Sequence, residues 1–373
     1  MDNRYMAYMG LAPKRIPHWE HWSCPDAETY LTGIDYYDHP RLCRQRLSEL
    51  YPMLNLPIPE DDTPKPRPDD ASSTDEDGRR HVRWGEGVSG HWDWGGKFTS
   101  DEEALAFSPL AQGDFTDIPV VESQDYSSEE IIYQHYRSLY PAEWGDTAPV
   151  GTADSVGFYN TMFMWPLLTF GWERFLNISL EDGFARIMDE FAEINRRVFR
   201  AFARLPVNFV ICHDDIVTSR GPVCSPEWMH KYVFPRYEEF WDIVKSAGKE
   251  VIFMVDGCID QYADDIFTCG ARGIITEPYT DFKAIARKHE NCFLAGEGDN
   301  RILTRNDPDE IRAMVERMRE TARMTGGYMM CIGNHIPWNV TPEGIKRYLD
   351  LSAELACRDP EIEARMGLPV NMK

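Results

Sequence analysis

A chain of 373 residues, 43% hydrophobic and 27% charged, can bury a large core, and α/β barrels of this length fold as a single domain. The 62 acidic against 39 basic residues give a formal charge of −23, which repels nucleic acid and anionic membranes and excludes both as expected partners. Nine cysteines without a CxxC pair, no leader-type N-terminus and no run of about 18 apolar residues indicate a soluble, cytoplasmic protein with reduced thiols.

In chain order, the first segment with a pattern is Pro17–Trp22, where histidines and tryptophans alternate as in a first strand. Residues 60–80 (EDDTPKPRPDDASSTDEDGRR) have almost nothing to bury and read as an exposed loop. Trp84, Trp92 and Trp94 follow among glycines, as an aromatic lid or as a hairpin stapled by its own indoles. From about residue 175 the pattern is regular. Ser179 and Asp182 have capping-box spacing ahead of a long amphipathic helix to about Leu205, and the strand VNFVICHDD follows. Ser225-Pro226-Glu227 opens a helix to about Ala247. The strands EVIFMVDG, GIITEP, CFLAGEGD and YMMCIGN then alternate with helices near 260–269, 281–289 and 307–324, and Thr341-Pro342-Glu343 opens the last helix.

Five continuously apolar strands alternating with helices predict a parallel sheet buried on both faces. No glycine-rich phosphate loop follows any strand, which favours a closed (β/α)8 TIM-type barrel over an open doubly wound sheet. Polar groups recur at the strand C-termini: His213-Asp214-Asp215, Asp256-Gly257-Cys258, Glu277, Glu297-Gly298-Asp299 and Asn334-His335. In a barrel these ends share one mouth, where active sites lie. His213 with Asp215 supplies a general acid or base there. The bland alternative has one aspartate capping a turn and another pairing with Arg220.

The segments HDDIVTSRGPVCSPEWMHKYVFPRYEEFWDIVKSAGKEVIFMVDG, GIITEPYTD, LAGEGDNRIL and GGYMMCIGNHIPWNVTPEGIKRYLD, in this order, resemble the uroporphyrinogen decarboxylase superfamily over about 150–355. The superfamily also includes cobalamin-dependent methyltransferases, which pass methyl groups to or from a corrinoid protein or coenzyme M, usually with zinc. The arginine-rich segment of true decarboxylases is absent from KRIPHWEHWSCPDAETY, and a strongly acidic protein is a poor host for eight substrate carboxylates. The resemblance is therefore closer to the methyltransferase branch. Where that branch has His-x-Cys, this chain has Asp256-Gly257-Cys258; where it has a Cys before Gly-Ile-Pro, this chain has Asn334-His335.

What the resemblance implies is an enzyme, with 1–373 as one barrel domain carrying an N-terminal extension. It implies a methyltransferase that moves methyl from a small methoxy or methylamine substrate to a corrinoid carried by a partner protein. The expected catalytic residues are His213, Asp215 and Glu277, and the expected substrate contacts are Asp214, Asp299, Asn334 and Trp338. Zinc is expected on a mixed set drawn from Asp256, Cys258, Glu297 and His335, since that ion accepts carboxylate, thiolate and imidazole. The alternative is that the metal is gone and these residues are structural. A decarboxylase of a smaller acid and a non-catalytic binding protein are the competing functions.

Overall fold

The computed structural model describes residues 2–356 apart from Ser23, Asn55, 68–72, 75–79, 85–86, 91–97, 113–124, Asp146 and Asn160. Trp92, Trp94 and the side chain of Trp84 lie outside the described residues. The chain folds as two compact units, one of residues 1–5 and 93–275, the other of 6–92 and 276–373.

The first unit is built on four parallel strands in spatial order β1 (Ser155–Tyr159), β2 (Phe209–His213), β3 (Glu250–Met254) and β4 (Gly273–Ile275). Their two-residue period divides the side chains. Val156, Phe158, Val210, Cys212, Val251 and Phe253 are buried. Phe158 meets Phe199 and Phe202 of the helix Phe184–Arg204, and Phe253 meets Tyr237 and Trp241 of the helix Phe234–Ser246. Each such fully buried ring contributes roughly 2–3 kcal/mol by removal from water. The alternate positions Tyr159 and His213, and Met254 beside them, keep partial exposure at the ends of the strands. The register sets Tyr159 opposite His213 and His213 opposite Met254, so three chain ends emerge side by side.

The second unit contains the parallel pair β5 (Phe293–Ala295) and β6 (Gly327–Met329). The expected first strand is present as two parallel bridges, His18 with Met330 and Trp22 with Ile336. The helices Pro308–Met324 and Pro342–Leu355 contribute buried apolar residues to this unit, among them Ile311, Met314, Met318, Ile345 and Leu349. Strand and helix alternate throughout 155–355, and the fold class is the expected α/β, TIM-barrel type. No helix among the described residues is long and apolar enough to cross a membrane.

Several local expectations need correction. Ser179 does not open the long helix; it follows the helix Trp172–Ile178, its hydroxyl donating to Leu176 O at 2.9 Å, and the long helix starts at Phe184. The helix predicted over 225–247 is two helices, Pro226–Tyr232 and Phe234–Ser246, because Pro235 has no N–H to extend the first ladder. Within the predicted loop 60–80, Ser73–Thr74 pairs antiparallel with a hairpin formed by Arg80–Trp84 and Gly87–Gly90. The cap expected at Ser225 holds, and Asp281 and Asp307 cap the next helices in the same way, each side chain accepting from first-turn amides.

One buried carboxylate fixes the end of β2. Asp214, 0% exposed, accepts the amides of Met162, Phe163 and Met164 at 2.9, 2.8 and 2.7 Å and the hydroxyl of Tyr237 at 2.5 Å. Burial pushes its carboxyl up, and these donors pull against that shift. It ties β2 to the start of the helix Met164–Phe170, so the expectation that Asp214 touches substrate is overturned by its burial. Asp214→Ala leaves four buried donors unmatched and should lower the unfolding free energy by about 3–5 kcal/mol in urea titration, against about 1–2 kcal/mol for Asp215→Ala.

Candidate metal centre

Because side chains alternate along an extended chain, anchoring Asp214 inward turns both His213 and Asp215 the other way. His213 Nε2 donates to Asp215 Oδ1 at 3.1 Å, with the two side chains 24% and 20% exposed. The Asp256 amide, just past β3, donates to the same oxygen at 2.9 Å. Tyr159, the last residue of β1, donates its hydroxyl to Asp215 Oδ2 at 2.9 Å and sets its ring edge-on to His213 at 4.3 Å. Ligand-type atoms of His213, Asp215 and Asp256 all lie within 4.8 Å of one another, and they form the candidate cation group among the described residues.

The backbone behind Asp256 is constrained. Gly257 has φ +113°, and a Cβ there would stand 2.6 Å from the Thr218 carbonyl carbon. Only glycine allows this approach, in which the Cys258 amide donates to Thr218 O at 2.9 Å.

The electrostatics are those of a charged pair held by a third group. For Asp215 the largest effect, burial, raises the carboxyl; hydrogen bonding and charge from His213, the Asp256 amide and Tyr159 outweigh it and hold it below the usual carboxylate range. For His213 burial disfavours the imidazolium, but Asp215, then Asp256 and Asp214, reverse that and raise it. Two carboxylates and an imidazole suit a divalent cation. An ion about 2.1 Å from each donor would space them about 3.4 Å apart, a closure that side-chain rotation can supply.

The other expected residues divide between the units. Cys258 lies in the first unit but outside the group; its thiol donates to Asp260 Oδ2 at 3.5 Å, and burial raises it. In the second unit, Glu277, Tyr279, Asp299, Arg301, Asn334 and His335 line a cavity of about 180 Å³. Asp299 caps the helix Asn300–Arg305 and pairs with Arg301, whose guanidinium lies 4.8 Å over the Tyr279 ring. Glu297, expected on the metal, is 4% exposed and accepts from Tyr328 at 2.8 Å and Arg317 at 3.2 Å. His335 is bonded through Nδ1 to Asn334 Oδ1 at 2.8 Å. Trp338 is half-buried, its carbonyl accepting from Cys24 Sγ at 3.5 Å.

The structure thus gathers His213, Asp215 and Asp256 in one unit, and Glu277, Asp299, Asn334 and His335 around one cavity in the other. Sequence reasoning missed Tyr159 because it placed no strand at 155–159. The available signal was the apolar run SVGFY followed by polar residues and Pro166.

Comparison with known proteins agrees with this architecture. Residues 173–355 match the family described as Uroporphyrinogen decarboxylase (URO-D). A methyltransferase from Methanosarcina mazei is similar in structure at 15% identity, with a TM-score of 0.53 over 94% of this chain and 97% of that one. An IolI protein with a binding zinc atom is more distant, at 11% identity and a TM-score of 0.32 over 54% of this chain and 76% of that one. A xylose isomerase-like TIM barrel protein from Mycobacterium smegmatis in complex with magnesium is similarly distant, at 10% identity and 0.31 over 68% and 99%. None of the curated proteins matches the chain. Residues 173–355 are thus similar to the uroporphyrinogen decarboxylase family, and the fold is of the α/β barrel class. Over nearly its whole length, that fold is similar to the fold of a methyltransferase.

Burial, and secondarily the charge of His21, lowers His335 to about 4, so this ring is neutral in the fold. Its contribution is present above the ordinary histidine value near 6.5 and is lost as pH falls toward 4. Between pH 7 and 4.5 the wild type should lose up to about 3 kcal/mol more in urea titration than His335→Gln, whose side chain does not titrate.

Proposed function

We propose that the protein is a methyltransferase that moves a methyl group from a small methoxy- or methylamine-type compound to a corrinoid carried by a partner protein. The observation that carries this reading is the His213–Asp215–Asp256 group at adjacent strand ends, in a chain whose fold is similar to that of a methyltransferase. A divalent cation held there, zinc among those the donor set accepts, would supply Lewis-acid polarisation of the heteroatom that loses the methyl group. His213 and Asp215, expected as acid and base, then serve as ligands, because Nε2 cannot hold both an ion and a transferable proton. Asp256 is common to the expected metal set and to this one, whereas Cys258, Glu297 and His335 drop out of it.

The net charge of −23 favours a neutral or cationic substrate over a polycarboxylate. The family match at 173–355 keeps decarboxylation as the second reading.

After dialysis against Zn2+, the wild type should retain one equivalent by elemental analysis. His213→Ala and Asp256→Ala should bind more than about 100-fold more weakly, and Cys258→Ala should bind as the wild type does. In a second assay, methoxy and methylamine compounds are offered with a reduced corrinoid. Methylation of cobalt, followed by its visible spectrum, should appear with the wild type and fall at least about 100-fold in Asp256→Ala. Carbon dioxide released from a porphyrinogen, with no cobalt methylation, would establish decarboxylation instead.

A further inference from the structure

We infer that Tyr159 is a positioning residue that fixes two of the three cation ligands at once, presenting Asp215 through a single oxygen and holding the His213 ring in place. This rests on the cation centre proposed above.

The argument starts from the two oxygens of Asp215. Oδ1 faces His213 Nε2 at 3.1 Å and the Asp256 amide at 2.9 Å, so it is the oxygen on the side where the other two ligands stand. Oδ2 is held by the Tyr159 hydroxyl at 2.9 Å. A carboxylate restrained on one oxygen offers the other to an ion and resists turning to a two-oxygen grip.

The same tyrosine acts on the imidazole. Its ring centroid lies 4.3 Å from that of His213 with the planes at 65°, and the strand register sets the two residues directly opposite. A group that orients a ligand without touching the metal is worth about 10–100-fold in affinity.

Among the described residues no second hydrogen bond reaches Oδ2. The position is also outside the set expected from the strand ends downstream of residue 207, so it adds a residue rather than renaming one.

The test uses Co2+ as the probe, followed by its visible absorption and by titration calorimetry, in the wild type, Tyr159→Phe, Asp215→Ala and the double variant. Tyr159→Phe keeps the ring and removes only the hydroxyl. It should bind Co2+ about 10–100-fold more weakly, with a changed absorption band as the carboxylate turns. In the Asp215→Ala background the same change should have no further effect on affinity, because the oxygen that Tyr159 holds is gone. A purely structural role would lower the urea midpoint and leave the bound Co2+ spectrum unchanged. Wild-type affinity and spectrum in Tyr159→Phe would overturn the role of Tyr159 and leave the cation centre standing. An equal loss in both backgrounds would likewise overturn it. A wild type that binds no Co2+ would overturn the centre and this role together.

Discussion

The first unit depends on a carboxylate that has no contact with solvent. Three backbone amides and a phenol converge on Asp214 and supply the partners that a charge-bearing group at that depth requires. That anchor determines the rest of the triplet. With residue 214 committed to the inside, the period of the strand turns 213 and 215 outward together, and Tyr159 and Asp256 meet them from the neighbouring chain ends. The helix Met164–Phe170 begins where it does for the same reason. Fold and site share one constraint, applied at one residue.

Much of this was legible in the sequence, and the reasons are specific. Runs such as FVICH and EVIFM are apolar without alternation, which marks strands covered on both faces, and the polar residues after them marked the strand ends. Ser225 was readable as a cap because it precedes a proline and an acid at the head of a helical pattern. Ser179 misled because the capping-box spacing is local, while the chain direction there is set by the preceding helix Trp172–Ile178. Pro235 lay in plain view, yet its effect depends on whether the helix before it has already ended.

The candidate site was legible in composition and less so in partnership. His213, Asp215 and Asp256 were each singled out, but the metal was expected on a set including Cys258, since the resemblance pointed to a thiolate. The distinction turns on one glycine. At Gly257 the backbone passes so close to Thr218 that Cys258 is bonded into the loop, and its thiol faces Asp260 rather than the group. Asp214 and Asp215 are chemically identical in a sequence. Only a commitment to which face of β2 is covered separates the structural acid from the chemical one. Asp299 was expected on substrate and Glu297 on the metal because both are acids at a strand end, and both are already engaged, one as a helix cap paired with Arg301 and one with Tyr328 and Arg317.

The alternation at residues 213–215 has an evolutionary corollary. The residue that holds the scaffold and the residues that carry reactivity sit next to each other in the chain but on opposite sides of the strand. Replacing the outward pair changes the donors offered at the strand end and leaves the buried anchor intact. New chemistry can therefore be sampled here by single-codon steps without a compensating change in the core. A scaffold arranged in this way is suited to diversification, because the acid that holds the strand end and the donors beside it answer to separate constraints.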